Sequence, residues 1–392
     1  ELSQVKRVNR VLGAGFGNQL LIQTAHMLQA PGERSQVFRI TGKRFLVMTE
    51  SIAVYESVCR RSQRCFAGPV QINGEPVYSP AVLCGVIDAQ TLRDGDALLA
   101  YVEYLTALAQ RTPETILIQG DEETLKGFRY TQEIESFLET ALEQDRFEVY
   151  YQPVYSLRKG GYVTLEALSR LRHPTLGPVA PEVFIGIAEK SDQIARLGLL
   201  QMRRVCRFLK EHRELMEQVQ NVKINLSPTE LMKSGHAGRL IGIIREFGLK
   251  PSYFQFEITE TGATEYSESL SRAAAEFVEA GTGLCLDDFG AGYANLNTVL
   301  KLPFSEIKLD KSLLVGICED DRIASLYQSI VAALQNMGYA VIAEGVETPK
   351  ELGLVSRWGV NLIQGYYFSR PLPGEALLSA VLDREGAAPA TR

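Results

Sequence analysis

Gln152, Glu166, Asn225, Glu257, Asp287-Asp288, Lys308, Glu344 and Gln364 share a setting: each lies at the end of a short apolar run. Brought together they would place four or five carboxylates, an amide and a lysine in one mouth. Crowded carboxylates repel, and burying them unpaired is costly. Oxygen ligands without His or Cys suit Mg²⁺ or Mn²⁺. Two such cations would activate a water for in-line attack on a phosphoryl group. A lysine beside them would orient that water or neutralise charge developing on phosphate. Each residue taken singly has a plainer explanation. A lone Glu is commonly a solvated or capping residue, Asn225 before Leu-Ser-Pro could start a turn and cap a helix, and Lys308 could be an ion-pair partner. Only as a set do they point to a metal site.

The elements that must position them follow from periodicity. Strand candidates are 147–154, 162–168, 222–227, 254–260, 283–288, 305–310, 340–347 and 362–368, with helical stretches at 195–213, 263–280, 321–337 and 373–382. From Asn225 onward the polar residues are spaced 32, 30, 21, 36 and 20 apart, each compatible with one strand–helix repeat. The step from Glu166 to Asn225 is 59, which requires an insertion. Eight strands alternating with helices over about 246 residues predict an α/β fold, a (β/α)8 TIM barrel, whose chemistry sits at the C-terminal strand ends. The connection around Lys159-Gly160-Gly161 is too short for a parallel crossover, so the first two strands are expected to form an antiparallel hairpin.

Composition sets the limits. The chain has 392 residues, 45% apolar and 22% charged, with a net charge of −6. At roughly 150 residues per domain, two or three domains are expected. Up to Gly120 there are 12 basic and 10 acidic residues, or +2; the remainder carries 29 and 37, or −8. An acidic chain argues against general nucleic-acid binding, and no apolar run reaches the ~18 residues of a membrane span. Histidines 26, 173, 212 and 236 form no paired-ligand pattern, and the six cysteines show no CxxC spacing. They read as thiols of a reducing compartment. The expected boundary lies at the polar stretch Gly120–Glu123, giving domains 1–121 and 122–392, with a frayed tail at 385–392.

YYQPVYSL, LEALSRLRHP, PEVFIGIAEKS, VKINLS, FEITET, DDFGAGYANL, LPFSEIKLDKSLL, VIAEGVET and QGYYFSRPLP resemble, in order, the EAL family of cyclic di-GMP phosphodiesterases. The resemblance runs from about 131 to 384. It implies an EAL-type barrel and a Mg²⁺- or Mn²⁺-dependent hydrolase, with two metals per active site, that opens cyclic di-GMP to linear pGpG. By motif, Glu166, Asn225, Glu257 and Asp287 resemble metal ligands, and Asp288 the ligand for the second metal. Lys308 resembles the catalytic lysine holding the attacking water, and Glu344 the glutamate supporting the metal–water centre. Gln152, Leu168, Arg170 and Gln364 resemble substrate contacts, with Arg170 on a phosphate. Glu260 resembles the anchor of the loop 287–296, which also belongs to the family's dimer surface. Leu171 departs from the tryptophan common after the arginine, without removing a ligand.

The first ~120 residues resemble, more faintly, the GGDEF diguanylate cyclases: VKRVNRVLGAGFGNQLL (5–21) and FRITGKRFLVM (38–48) match their helix and signature hairpin. The signature has become Thr41-Gly42-Lys43-Arg44-Phe45, with Arg44 where an acid would bind metal and Arg10 replacing another acid, while Asn9 remains. Glu33-Arg34-Ser35-Gln36 stands in place of the product-inhibition motif. The resemblance implies an N-terminally incomplete, degenerate α+β domain without synthesis, serving regulation or dimerisation. Lys43 and Arg44 gripping the phosphate of GTP is weighed there against a solvated hairpin tip.

Two functions follow. The intact motif series favours an active cyclic di-GMP phosphodiesterase; the alternative is a catalytically silent cyclic di-GMP receptor signalling through dimer geometry. The implied partners are cyclic di-GMP and a second copy of the chain. The implied location is the cytoplasm, either alone or as the cytoplasmic part of a longer sensor.

Overall fold

The computed structural model describes residues 1–29, 34–87, 92, 94–110, 117–265, 267–292 and 296–382. Glu33, residues 293–295 of the loop 287–296, and the tail 385–392 expected to fray lie outside the described residues. The chain divides into two compact units, Glu1–Glu133 and Ile134–Arg392, and the division falls within the helix Glu122–Glu143.

The second unit is a closed barrel. Its strands are β1 (Phe147–Ser156), β2 (Gly161–His173), β3 (Asn221–Asn225), β4 (Phe254–Thr259), β5 (Gly283–Phe289), β6 (Glu306–Leu309), β7 (Ala340–Glu344) and β8 (Leu362–Gln364). Neighbours from β2 to β8 pair in parallel, and β1 closes the ring antiparallel to both β2 and β8. The expected hairpin is present. Gly160, at φ 65°, supplies the left-handed turn residue, and its N–H donates to the Ser156 carbonyl. The 59-residue step between Glu166 and Asn225 holds a short strand, Gly177–Val179, and helices Pro181–Lys190, Ile194–Glu211 and Leu215–Gln218.

Strand alternation separates two layers. Val222, Ile224, Phe256, Leu284, Leu286, Ile307, Val341 and Ile363 are buried in one apolar cluster with helix residues such as Val205, Leu240, Phe277 and Val331. At roughly 25 cal/mol per Å² this burial supplies the main drive for closing the barrel. The opposite face of the same strands carries the polar residues inward.

The first unit combines helices Val5–Leu12, Ala14–Leu28, Ile52–Phe66 and Gly95–Gln110 with a hairpin, Ser35–Thr41 and Arg44–Thr49. Leu83–Val86 pairs in parallel with Leu117–Gly120. Leu2, Leu20, Phe66, Ile72 and Val77 form its core. At the hairpin tip Lys43 Nζ and Arg44 Nε each lie 2.6 Å from the Glu1 carboxylate, and Arg44 Nη1 lies 3.1 Å from Glu103. Both cations are thus engaged by acids. The six cysteines are free thiols. Among the described residues, no helix is long and apolar enough to cross a membrane.

Candidate active site

The strand ends converge on Lys308. Its Nζ lies 2.6 Å from Glu344 Oε1, 3.0 Å from Asp287 Oδ1, 3.1 Å from Glu166 Oε2 and 3.2 Å from Glu257 Oε1. These acids come from β7, β5, β2 and β4, so the ring can form only if the barrel closes. The amides complete it. Asn225 Nδ2 donates to Glu166 Oε1 at 2.7 Å, and Gln364 Nε2 donates to Glu166 Oε2 at 2.5 Å and to Gln152 Oε1 at 3.3 Å. Gln152 Nε2 donates to the Ser369 carbonyl at 3.3 Å. The plainer explanation of Asn225 fails here: Ser227 caps the helix Pro228–Leu231 in a capping box with Glu230, which leaves the Asn225 side chain to Glu166.

The cluster's charges are unequal in environment. Burial alone would raise Glu166, but Lys308 and the Gln364 and Asn225 amides outweigh it and hold its pKa down at about 2. Burial dominates at Glu257, whose pKa stands well above the ordinary range. Burial, reinforced by Asp287 and Glu166 against Lys308, pushes Glu344 up to about 8. Burial and then Asp287 raise Asp288 to about 6. Burial opposes the Lys308 ammonium, yet its acidic neighbours keep it well above the ordinary lysine value.

Carboxylate oxygens of Glu166, Glu257 and Asp287 lie within 4.8 Å of one another, as do those of Asp287, Asp288 and Glu344. The two triads share Asp287. Glu257 Oε1 and Gln364 Oε1 are buried and form no hydrogen bond among the described residues. Five acids crowd around one lysine, and an all-oxygen donor set with orphaned buried acceptors fits hard divalent cations. Asp288 reaches the cluster from a strained backbone, φ 55°, where the β5–β6 register shifts between Leu286 and Phe289. Glu260 Oε2 accepts the Gly290 N–H at 3.0 Å, tying the end of β4 to the start of the loop after β5.

Leu168 and Arg170 lie on β2 beyond Glu166, partly buried. The Arg170 guanidinium stands 5.5 Å from the Tyr150 ring centroid and donates from Nη1 to the Ser169 carbonyl at 2.9 Å. Sequence reading missed Tyr366 and Arg370 just past Gln364, whose ring and guanidinium stack at 4.1 Å. A tyrosine followed four residues later by an arginine, in YYFSR, was the available signal. It also missed Lys223, Gln255 and Glu306. Each precedes a mouth residue by two positions, a period-2 signal legible in VKIN, QFE and EIK.

A closed, mainly parallel barrel with an antiparallel first strand and an acid-ringed lysine at its mouth defines a distinct class of α/β barrel protein. The chain belongs to the EAL family: residues 136–371 match the EAL domain. It is 30% identical over 389 residues to the cyclic di-GMP phosphodiesterase NbdA of Pseudomonas aeruginosa, covering 96% of this chain and 48% of that protein. It is 33% identical over 244 residues to the cyclic di-GMP phosphodiesterase RocR of the same organism, covering 60% of each. The structure of the PaMucR phosphodiesterase in complex with c-di-GMP superposes with a TM-score of 0.59 at 30% identity, covering 63% of this chain and 100% of that one. The chain spans about half the length of the curated relatives it matches.

Proposed function

We propose that the chain hydrolyses cyclic di-GMP to linear pGpG at the mouth of its barrel. The observation that carries this is the pair of carboxylate triads sharing Asp287 around one buried lysine. Glu166, Asn225, Glu257 and Asp287 would hold one divalent cation, Mg²⁺ or Mn²⁺, and Asp287, Asp288 and Glu344 a second. Bound there, such a pair activates water and stabilises charge on a phosphoryl group. Water adds to one phosphorus, one P–O bond to a ribose oxygen breaks, and a proton passes to that oxygen.

The chain's own residues supply the rest. Lys308, at the centre of the acid ring, would orient the water or face charge developing on phosphate. Glu344, whose Oε1 lies 2.6 Å from Lys308 Nζ, would support the metal–water centre beside that lysine. Arg170 would bind a phosphate by charge-assisted hydrogen bonds, and Leu168, Gln152 and Gln364 would line the substrate. Glu260 would hold the loop after β5 in place through Gly290. Glu166→Ala tests this reading: the variant should stay folded and form no pGpG. Substantial pGpG from it would sink the assignment.

We assign residues 1–121, on their resemblance to a degenerate GGDEF domain, a regulatory or dimerising role for domain 122–392. Engagement of Lys43 and Arg44 by Glu1 supports a scaffold over a phosphate grip. Calorimetry with GTP tests this: the scaffold role predicts no heat and no change in phosphodiesterase rate, and heat with a rate change would establish a GTP site instead. The resemblance further supports a homodimer through the barrel domain and a cytoplasmic location.

A further inference from the structure

Beneath the mouth lies a second polar layer. Lys223 on β3, Gln255 on β4 and Glu306 on β6 sit one step deeper than Asn225, Glu257 and Lys308 on the same strand faces. Barrel interiors are ordinarily filled there by branched apolar side chains. The Lys223 side chain is 0% exposed. Its Nζ donates to Gln255 Oε1 at 2.7 Å and to Glu306 Oε2 at 2.8 Å. Gln255 is fixed in turn, donating from Nε2 to Ser305 Oγ at 3.1 Å and to the Leu284 carbonyl at 3.4 Å. Lys223 also has Cys285 beside it and approaches Glu257 Oε1 at 3.6 Å. That same oxygen lies 3.2 Å from Lys308 Nζ and forms no hydrogen bond among the described residues.

Neutralising Glu306 does not by itself explain a buried lysine. Burying an ion pair is costly, and a well-packed apolar pair serves stability as well or better. Glu306 also keeps 18% of its side chain exposed, so it retains water as a partner. What the lysine adds is a fixed positive charge under Glu257. Lys308 cannot give Glu257 that restraint alone, because its ammonium is divided among four carboxylates.

We propose that Lys223 is a positioning residue for the cation site, holding Glu257 Oε1 toward the barrel floor so that the other carboxylate oxygen serves the mouth. Gln255 and Glu306 act on Glu257 only through Lys223. The inference rests on reading the mouth as a divalent-cation site.

Mn²⁺ binding by calorimetry, with melting temperature measured alongside, tests it on the whole chain, Lys223→Met, Glu306→Gln and the double variant. Lys223→Met leaves buried Glu257 and partly buried Glu306 without their shared cation and should lose stability. The double variant removes the ion pair as a unit and should regain stability, yet bind Mn²⁺ about 10- to 100-fold more weakly, as losses of groups that orient metal ligands do. Glu306→Gln alone should keep the unaltered chain's affinity. Should Lys223→Met fail to fold, the double variant carries the test. A double variant with unaltered Mn²⁺ affinity would show that Lys223 serves Glu306 alone and overturn the proposal. No Mn²⁺ binding by the unaltered chain would overturn the cation reading itself, and this inference with it.

Discussion

At the residue scale, the mouth is organised by one cation. Lys308 meets acids from four strands, and no neighbouring pair of them in sequence announces that meeting. Its removal has two separable effects. In the metal-free chain, Lys308→Ala leaves buried carboxylates uncompensated and should cost about 3–5 kcal/mol in urea unfolding. With cations bound, kcat should fall about 10²- to 10³-fold with little change in KM. A loss confined to KM would contradict the water-orienting role. Glu166→Ala should weaken Mn²⁺ binding in calorimetry at the first of the two sites and abolish turnover, since Glu166 belongs to that triad alone. The identity of the mouth residues was legible because each ends an apolar run. The central position of Lys308 was not, because it depends on how eight strand ends close.

At the element scale, the short Lys159-Gly161 connection revealed the antiparallel first strand, and the 59-residue step revealed the insertion before β3. Both are consequences of chain length, which sequence displays directly. The strained φ of Asp288 and the register shift beside it were not legible, because a bulge depends on the partner strand. Gly365 is a further example. A Cβ there would collide with the carbonyl oxygen and amide of Val346, so only glycine lets the end of β8 pass the segment after β7. That approach sets the position of Gln364 on Glu166. Gly365→Ala should cost about 1–3 kcal/mol of stability by urea unfolding, through overpacking. It should also weaken cyclic di-GMP binding. Unchanged stability and binding would show that the β8 turn tolerates displacement.

At the scale of the whole molecule, the barrel stores electrostatic cost for function. Glu344 at about 8 against an ordinary 4.5, and Asp288 at about 6 against 3.8, bind protons more tightly folded than unfolded. The metal-free chain therefore loses stability from these groups as pH rises from about 4 to about 8. Glu166 has the opposite sign: held at about 2, its contribution is present above 4.5 and is lost as pH falls toward 2. Cations bind the charged acids and relieve the repulsion. Mn²⁺ should thus raise the melting temperature more at about pH 8.5 than at about pH 6 in scanning calorimetry; an equal rise at both would contradict the assignment of Glu344 and Asp288. The central claim is tested most directly by one reaction. Purified chain is incubated with cyclic di-GMP and Mg²⁺ or Mn²⁺, and the products are separated by chromatography. Linear pGpG, formed only with the cation, is the predicted result; tightly bound but intact cyclic di-GMP would contradict it and make the chain a receptor.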